Sequence, residues 1–105
     1  MVIIETTVFI RLIRDLLGDD DYRELQQALI LHPDLGDLIP GSGGLRKVRW
    51  KIEGKGKRGG IRVIYYWMTS ENQLWMLYAY AKGRQSDLDQ SQLKILRDIV
   101  ERWQQ

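Results

Sequence analysis

Residues 44–67 read GLRKVRWKIEGKGKRGGIRVIYYW, and this stretch decides the fold because its side chains follow the two-residue period of β-strands. Over residues 45–52, the apolar Val48, Trp50 and Ile52 alternate with the cationic Lys47, Arg49 and Lys51. Residues 61–68, IRVIYYWM, are rich in the β-branched and aromatic types that favour strands. We therefore predict two strands, the first with one apolar and one cationic face.

The N-terminal third of the chain predicts a short strand and two helices. Residues 2–5, VIIE, are expected to form the strand. Apolar residues at helical spacing then predict a helix that ends at Gly18. A second helix follows, with Asp19 or Asp20 as its cap, and Pro33 stops it.

The segments around the two central strands complete the expected architecture. Residues 34–44, DLGDLIPGSGG, predict a turn-rich connection into the first cationic strand. TSEN at 69–72 predicts a hairpin turn before a third strand, QLWMLYAYA, at 73–81. In the final helix, Asp89 and Gln92 have the spacing of a capping box.

The predicted order is β-α-α-β-β-β-α, which is typical of one α+β domain over residues 1–105. We expect a small, mainly antiparallel sheet with two N-terminal helices and one C-terminal helix. The helices should cover one face, and the cationic face should stay open. Burial of Trp50, Trp67 or Trp75 is expected to supply much of the core.

The distribution of charge is more informative than the net charge of +2. Between Leu45 and Arg62 the chain has eight cations and one anion, a local charge of +7, whereas the other residues together carry −5. A basic segment on a mildly acidic body is suited to bind a polyanion, because each neutralised phosphate releases counterions. The alternative interpretation is a solvated, charge-rich hairpin.

Several classes of protein are disfavoured by composition. The chain has no cysteine, so disulfides and thiolate metal sites are excluded. No apolar run approaches the roughly 18 residues of a membrane span. The N-terminus lacks the basic region and cleavage site of a signal peptide. We expect a cytoplasmic protein with no membrane association.

If this chain cleaves RNA, its residues restrict the mechanism. Attack by a ribose 2′-hydroxyl needs a base, cations that stabilise the phosphorane, and an acid for the leaving oxygen. The single histidine, His32, stands beside Pro33 at a predicted helix end, where a structural role is expected. No carboxylate cluster near the basic segment could hold magnesium. We therefore expect no metal or cofactor, with arginine stabilising charge and lysine, which can be tuned to its neutral form, transferring protons.

Tyrosine is a further candidate. Tyr65, Tyr66 and Tyr80 could stack on bases or carry protons, and packing in the sheet is an equally good interpretation of each.

Two stretches carry a resemblance to a known family: GSGGLRKVRWKIEGKGKRGGIRVIYYW at 41–67 and LWMLYAYAKGRQSDLD at 74–89. They resemble the HigB-type branch of the RelE toxin superfamily, the toxins of bacterial type II toxin–antitoxin pairs, and the likeness extends over nearly the whole chain. The resemblance implies a ribosome-dependent endonuclease that cuts mRNA in the ribosomal A site and inhibits translation. It also implies a cognate HigA-like antitoxin with a helix-turn-helix, through which alone operator DNA would be bound.

The resemblance also implies site residues. Lys47 and Arg49 match the paired basic positions of the superfamily, Arg62 its strand arginine that clamps the scissile phosphate, and Lys82 the cation after the last strand. The implied catalytic set is Lys47, Arg49, Lys57, Arg62 and Lys82. The implied RNA-binding set is Lys51, Lys55, Arg58, Tyr66 and Arg84, and Lys57 shares the loop of Lys55 and Arg58. Leu88 stands where better-known members have a tyrosine, which leaves the proton-transfer role of that tyrosine unassigned.

Two other functions stay open at this point. One is a non-catalytic RNA- or ribosome-binding module that uses the same face of the sheet. The other is an interaction protein whose basic segment receives an acidic partner.

Overall fold

The computed structural model describes residues 1–51, 60–85 and 87–103, and its helices and strands confirm the predicted α+β class. The elements are β1 (Val2–Glu5), α1 (Thr7–Leu16), α2 (Asp19–Leu31), β2 (Asp37–Leu38), β3 (Leu45–Trp50), β4 (Ile61–Met68), β5 (Gln73–Ala81) and α3 (Gln90–Trp103). The order agrees with the prediction except for β2, which lies in the segment expected to be a turn-rich connection. Two residues are too few to show a periodic pattern.

The five strands form one sheet in the order β1-β5-β4-β3-β2. All neighbouring pairs are antiparallel except β1 and β5, which are parallel. Between β4 and β5 the register shifts, since Ile64 is opposite Tyr78 whereas Tyr65 is opposite Met76. Leu77 is therefore the extra residue of a β-bulge, and the alternation of β5 is reversed beyond it.

One face of the sheet packs against α1 and α2. Its core joins Phe9 and Leu25 from the helices to Val48, Val63 and other buried strand residues. The side-chain oxygen of Thr6 caps α1 by accepting the backbone N–H of Phe9 at 3.0 Å. The prediction that Val48 and Trp50 turn away from the cationic face is confirmed, because both pack in this core.

The buried Tyr65 joins this core to the segment after α2. Its hydroxyl donates to the carbonyl oxygen of Pro33 at 2.7 Å and accepts the backbone N–H of Gly36 at 2.8 Å. A side chain at Gly36 would collide with the Tyr65 ring, because a Cβ built there lies 2.8 Å from Tyr65 Cε1. Glycine is therefore required where the chain passes over this tyrosine.

The opposite face was expected to be open, and this expectation is wrong. α3 packs on it through Leu96 and Val100, which contact a second core that includes Leu45, Ile64 and Leu77. The start of α3 has the predicted capping box. Asp89 accepts the backbone N–H of Gln92 at 2.8 Å, and the side chain of Gln92 accepts that of Asp89 at 3.1 Å. An apolar stripe on α3 needs burial, and this face is the one that α1 and α2 leave uncovered.

Other local expectations are corrected. α2 is capped by Gly18, without a side-chain cap, and Asp19 and Asp20 lie in its first turn, where their charge favours the positive end of the helix dipole. β3 ends at Trp50, so Lys51 lies beyond the strand. The three strand tryptophans are only half-buried, and aliphatic residues with Phe9 and Tyr65 make up most of the cores. None of the helices in the described ranges has the length and apolarity to cross a membrane.

Replacement of Tyr65 by phenylalanine tests the role of its hydroxyl in the fold. The change leaves the Pro33 carbonyl and the Gly36 N–H without this partner, so we expect the free energy of unfolding to fall by about 1–3 kcal/mol. Urea denaturation measures it. Tyr78→Phe is the control, because the Tyr78 hydroxyl only accepts one bond, from Gln92 at 3.1 Å, and is less buried. Equal losses in the two variants would contradict this role.

Candidate active site

Three rows of directly opposed residues cross β3, β4 and β5 on the face that carries α3. They are Leu45–Tyr66–Trp75, Lys47–Ile64–Tyr78 and Arg49–Arg62–Tyr80. The end of α3 lies over the first row, where the rings of Trp103 and Trp75 have centroids 3.9 Å apart. The start of α3 lies at the second row, where the Gln92 side chain donates to the Tyr78 hydroxyl. The third row therefore lies past the N-terminal end of α3.

The third row places two arginines directly opposite each other. Arg49 and Arg62 are register partners in the antiparallel pair of β3 and β4. Like charges in this position destabilise a sheet. No ion pair in the described part of the chain includes either arginine, and the one hydrogen bond found there for Arg62 is a long contact, 3.4 Å, from Nη1 to the carbonyl oxygen of Ile61. The row is thus a site of concentrated positive charge with no direct ion pair among the described residues, although Asp87 is near enough for the charge of Arg49 to be one of the effects that lower its pKa.

The two arginines differ in their access to solvent. Arg49 is exposed, whereas Arg62 is buried, with 8% of its surface accessible. A buried charge without a counterion is costly to a fold. Such a cost is typical of a residue that is retained for function.

Lys47 lies in the second row, on the same face as Arg49, and has a carboxylate partner that the sequence did not indicate. Its Nζ is 3.2 Å from Oδ1 of Asp87, in the segment before α3. The pKa of Asp87 is lowered, first by the hydrogen bond from the backbone N–H of Leu88 and also by Lys47. The Lys47 side chain is 19% exposed and that of Asp87 is 66% exposed, so this ion pair lies at the rim of the site.

The remaining predicted site cations among the described residues lie at the end of the sheet where β3 and β5 finish and β4 begins. Lys51 and Lys82 directly follow β3 and β5, and the backbone N–H of Lys82 donates to the carbonyl oxygen of Gly60. Arg84 follows in the turn after Lys82. All three are exposed. The cationic end of the sheet, as we name it, consists of Arg49, Lys51, Arg62, Lys82 and Arg84.

The structure separates one predicted site residue from this group. Tyr66 lies four residues along β4 from Arg62, about 13 Å at 3.3 Å per residue, and packs against the core under α3. Lys55, Lys57 and Arg58 lie outside the described residues. His32 is at the C-terminal cap of α2, as its sequence position indicated, and its backbone N–H donates to the carbonyl oxygen of Ala28. Among the described residues, no group of histidine, aspartate and glutamate could hold a metal ion.

Tyr80 completes the third row. The sequence indicated it as a stacking or proton-carrying candidate, but it was not in the site set implied by the family resemblance. It is 6% exposed, and its hydroxyl has no hydrogen-bond partner among the described residues. Burial raises its pKa, and the charge of Asp87 raises it further, against the opposing effect of Arg62. Its place in the row could not be predicted, because strict alternation from Trp75 would put Tyr80 on the α1 side. The bulge at Leu77 moves it to the face of the arginines.

A cleft of about 410 Å³ adjoins this row between α1 and the second half of β5. Leu12 and Leu16 form its apolar side, and Asp15, Arg84 and Gln85 are among its polar residues. Tyr80 also lines it. The site therefore has room for more than a phosphate group.

Comparisons with known proteins agree with this architecture. Residues 3–105 match the family model described as the RelE toxin of the RelE/RelB toxin–antitoxin system. The fold is similar to that of a mutant of the E. coli toxin RelE in the free state, with a TM-score of 0.58 and 13% identity over 81% of this chain and 86% of that one. It is also similar to a chain of the intact E. coli RelBE toxin–antitoxin complex, with a TM-score of 0.54 and 13% identity over 74% of this chain and 92% of that one.

Replacement of Asp87 by asparagine tests the rim ion pair. Because the pKa of Asp87 is lowered in the folded protein, its stabilising effect is present above the pKa of the unfolded chain and is lost as the pH falls through the folded-state value. We expect Asp87→Asn to lose at most about 1 kcal/mol at neutral pH, since the pair is largely exposed, and nothing at strongly acidic pH. Denaturation at both pH values measures this. If Asp87→Asn loses the same stability at neutral and at acidic pH, the loss comes from packing and not from the ion pair.

Proposed function

The chain belongs to the RelE family of toxins from toxin–antitoxin systems, and on this premise we propose that it is a ribosome-dependent endoribonuclease that cleaves mRNA in the A site. Cleavage would inhibit translation. Within the family, the motifs around residues 41–67 and 74–89 favour the HigB-type branch. In this proposal residues 1–105 form one toxin domain, which acts in the cytoplasm.

The observation that carries the proposal is the opposition of Arg49 and Arg62. Two guanidinium groups on facing strands, without an ion pair among the described residues, supply the fixed positive charge that a phosphorane requires. Because the strands are rigid, this charge is in place before the reaction begins. Preorganised charge of this kind is commonly the largest contribution to catalysis.

The proposed reaction is attack by the 2′-hydroxyl oxygen on the adjacent phosphorus. The bond from phosphorus to the 5′-oxygen then breaks and leaves a cyclic phosphate and a 5′-hydroxyl. Arg62 and Arg49 bind the phosphate oxygens, where negative charge increases. Lysine amines carry the protons, with Lys47 in the next row and Lys82 at the strand end as candidates, because arginine does not lose its proton in proteins.

The exposed cations have a different proposed role. Lys51, Lys82 and Arg84 are accessible around the inner row and would contact RNA phosphates, and the cleft beside Tyr80 would receive a nucleotide. From the family resemblance we propose that Lys55 and Arg58 contact the RNA backbone and that Lys57 is a catalytic candidate. Tyr66 is retained as a stacking candidate only, since it lies far from Arg62 along the strand.

An antitoxin is the proposed protein partner. A solved relative is described as an intact toxin–antitoxin complex, and the branch favoured here pairs with a HigA-like antitoxin that contains a helix-turn-helix. Such a partner would occlude the cationic end and would bind operator DNA on behalf of the complex.

Replacement of Arg62 by alanine tests catalysis against simple binding. We expect cleavage of ribosome-bound mRNA to fall by at least about 100-fold, with much of the ribosome affinity retained, because the exposed cations remain. Primer extension on programmed ribosomes measures cleavage, and sedimentation measures binding. Arg23→Ala is the matched control, since this arginine on α2 is largely exposed and pairs only with Asp20 in the described structure.

The outcomes separate the rival functions. A loss of affinity in proportion to charge, with no cleavage by the native protein, would indicate a binding module. No effect on RNA from any cation would indicate an acidic protein partner as the ligand. Equal cutting of naked mRNA would make the protein a ribosome-independent ribonuclease.

Replacement of Lys82 by alanine tests the exposed contacts. Loss of one phosphate contact should weaken binding of single-stranded RNA and reduce the slope of log K against log salt by about one. Titrations at several salt concentrations measure this slope. Lys94→Ala is the control, because Lys94 is also an exposed lysine, lies on α3 and pairs with Asp98. An equal change in both variants would show that net charge, and not this contact, governs affinity.

A further inference from the structure

Tyr80 has a polar group for which the described residues provide no partner. Its hydroxyl is buried and has no hydrogen bond within the described residues. By contrast, the buried Tyr65, on the other face, has both a donor and an acceptor within 2.8 Å. A buried hydroxyl without a partner costs free energy, and phenylalanine would fill the same space without that cost. Trp67 Nε1 is also buried without a partner in the described residues, so what distinguishes the Tyr80 hydroxyl is its place beside the arginines.

The position of Tyr80 indicates a use for this hydroxyl. It is the register partner of Arg62, which is the register partner of Arg49. Directly opposed residues have Cβ atoms about 5 Å apart, so the three side chains stand side by side on one face. The burial of the row increases from β3 to β5, since Arg49 is exposed, whereas Arg62 and Tyr80 are both below 10% accessible. A ligand that enters past Arg49 would meet Arg62 and then Tyr80.

The side chains of the row are richer in hydrogen-bond donors than in acceptors, because only the phenol oxygen of Tyr80 can accept. Both guanidinium groups can only donate, and the phenol also has a proton to donate. The single acceptor recorded for the row is the Ile61 carbonyl oxygen, at 3.4 Å from Arg62. A phosphate group has several anionic oxygens and can accept from all three side chains at once.

On the proposed function as premise, we propose that the Tyr80 hydroxyl is a catalytic group that donates a hydrogen bond to an oxygen of the scissile phosphate held by Arg62 and Arg49. The bond strengthens as charge accumulates on the phosphorane oxygens.

The protonation state fits a donor. Burial and Asp87 raise the pKa of Tyr80, against the smaller opposing effect of Arg62, so the phenol keeps its proton at neutral pH. It therefore acts as a hydrogen-bond donor and not as a general base. Loss of the hydroxyl should lower the rate by a similar factor across neutral pH, without moving the pH profile.

Tyr80→Phe tests this role, because it removes one oxygen and keeps the ring. We expect single-turnover cleavage of mRNA on programmed ribosomes to slow by roughly 10- to 100-fold, the effect of losing one hydrogen bond to a charged group. The midpoint of thermal unfolding should be unchanged or higher. Tyr65→Phe is the matched control. We expect it to lower the midpoint of thermal unfolding and to leave the cleavage rate per folded molecule at the native value. A Tyr80→Phe rate within about twofold of the native rate, or a slow rate explained by a lower midpoint, would overturn the proposal.

A second measurement keeps this inference separate from the proposed function. Inorganic phosphate should raise the thermal midpoint of the native protein, since it binds the folded state. Phosphate should raise the midpoint of Tyr80→Phe by less than that of the native protein, and the midpoint of Arg62→Ala by the least. If the native protein cuts no ribosome-bound mRNA, the proposed function fails, and this titration alone decides whether Tyr80 binds phosphate. An equal rise of the midpoint in the native protein and in Tyr80→Phe would show that the Tyr80 hydroxyl does not bind phosphate.

Discussion

The antiparallel register of β3 with β4 is the constraint on which both core and site depend. It sets Val48 opposite Val63 on one face and, one residue on, Arg49 opposite Arg62 on the other. A slip of one residue would turn the valines to the α3 side and the arginines into the core under α1 and α2. Burial of the apolar side therefore holds the arginines in place, and their mutual repulsion is a cost that the core offsets.

Much of the fold was predictable because its signals are local. β4 and β5 have the predicted bounds, and Asp89 and Gln92 form the predicted capping box, since strand alternation and capping need only neighbouring residues. The position of α3 was not predictable in this way. Its apolar stripe shows that it needs a surface, and only the assembled sheet shows that the surface is the cationic face. The two-residue β2 has no pattern of its own.

The same distinction applies to the site. Arg49 and Arg62 could be recognised from charge and alternation, and the structure brings them together because each strand is regular. Tyr80 could not be placed, because one extra residue at Leu77 reverses the side on which every later residue of β5 lies. Asp87 was also missed, since its contact with Lys47 joins residues 40 positions apart. Bulges and long-range contacts leave little trace in periodicity.

The row of Arg49, Arg62 and Tyr80 breaks three rules of stable packing at one place. Like charges are opposed and, within the part of the chain that the structure describes, a charge is buried without an ion pair and a hydroxyl is buried without a hydrogen bond. Each defect would be removed by a common substitution. Their coincidence along one line of the sheet is difficult to explain by packing alone, because Tyr65 shows that the same sheet can satisfy a buried tyrosine fully. A single anion bound in the row would correct all three defects at once, because a phosphate can accept hydrogen bonds from both guanidinium groups and from the phenol.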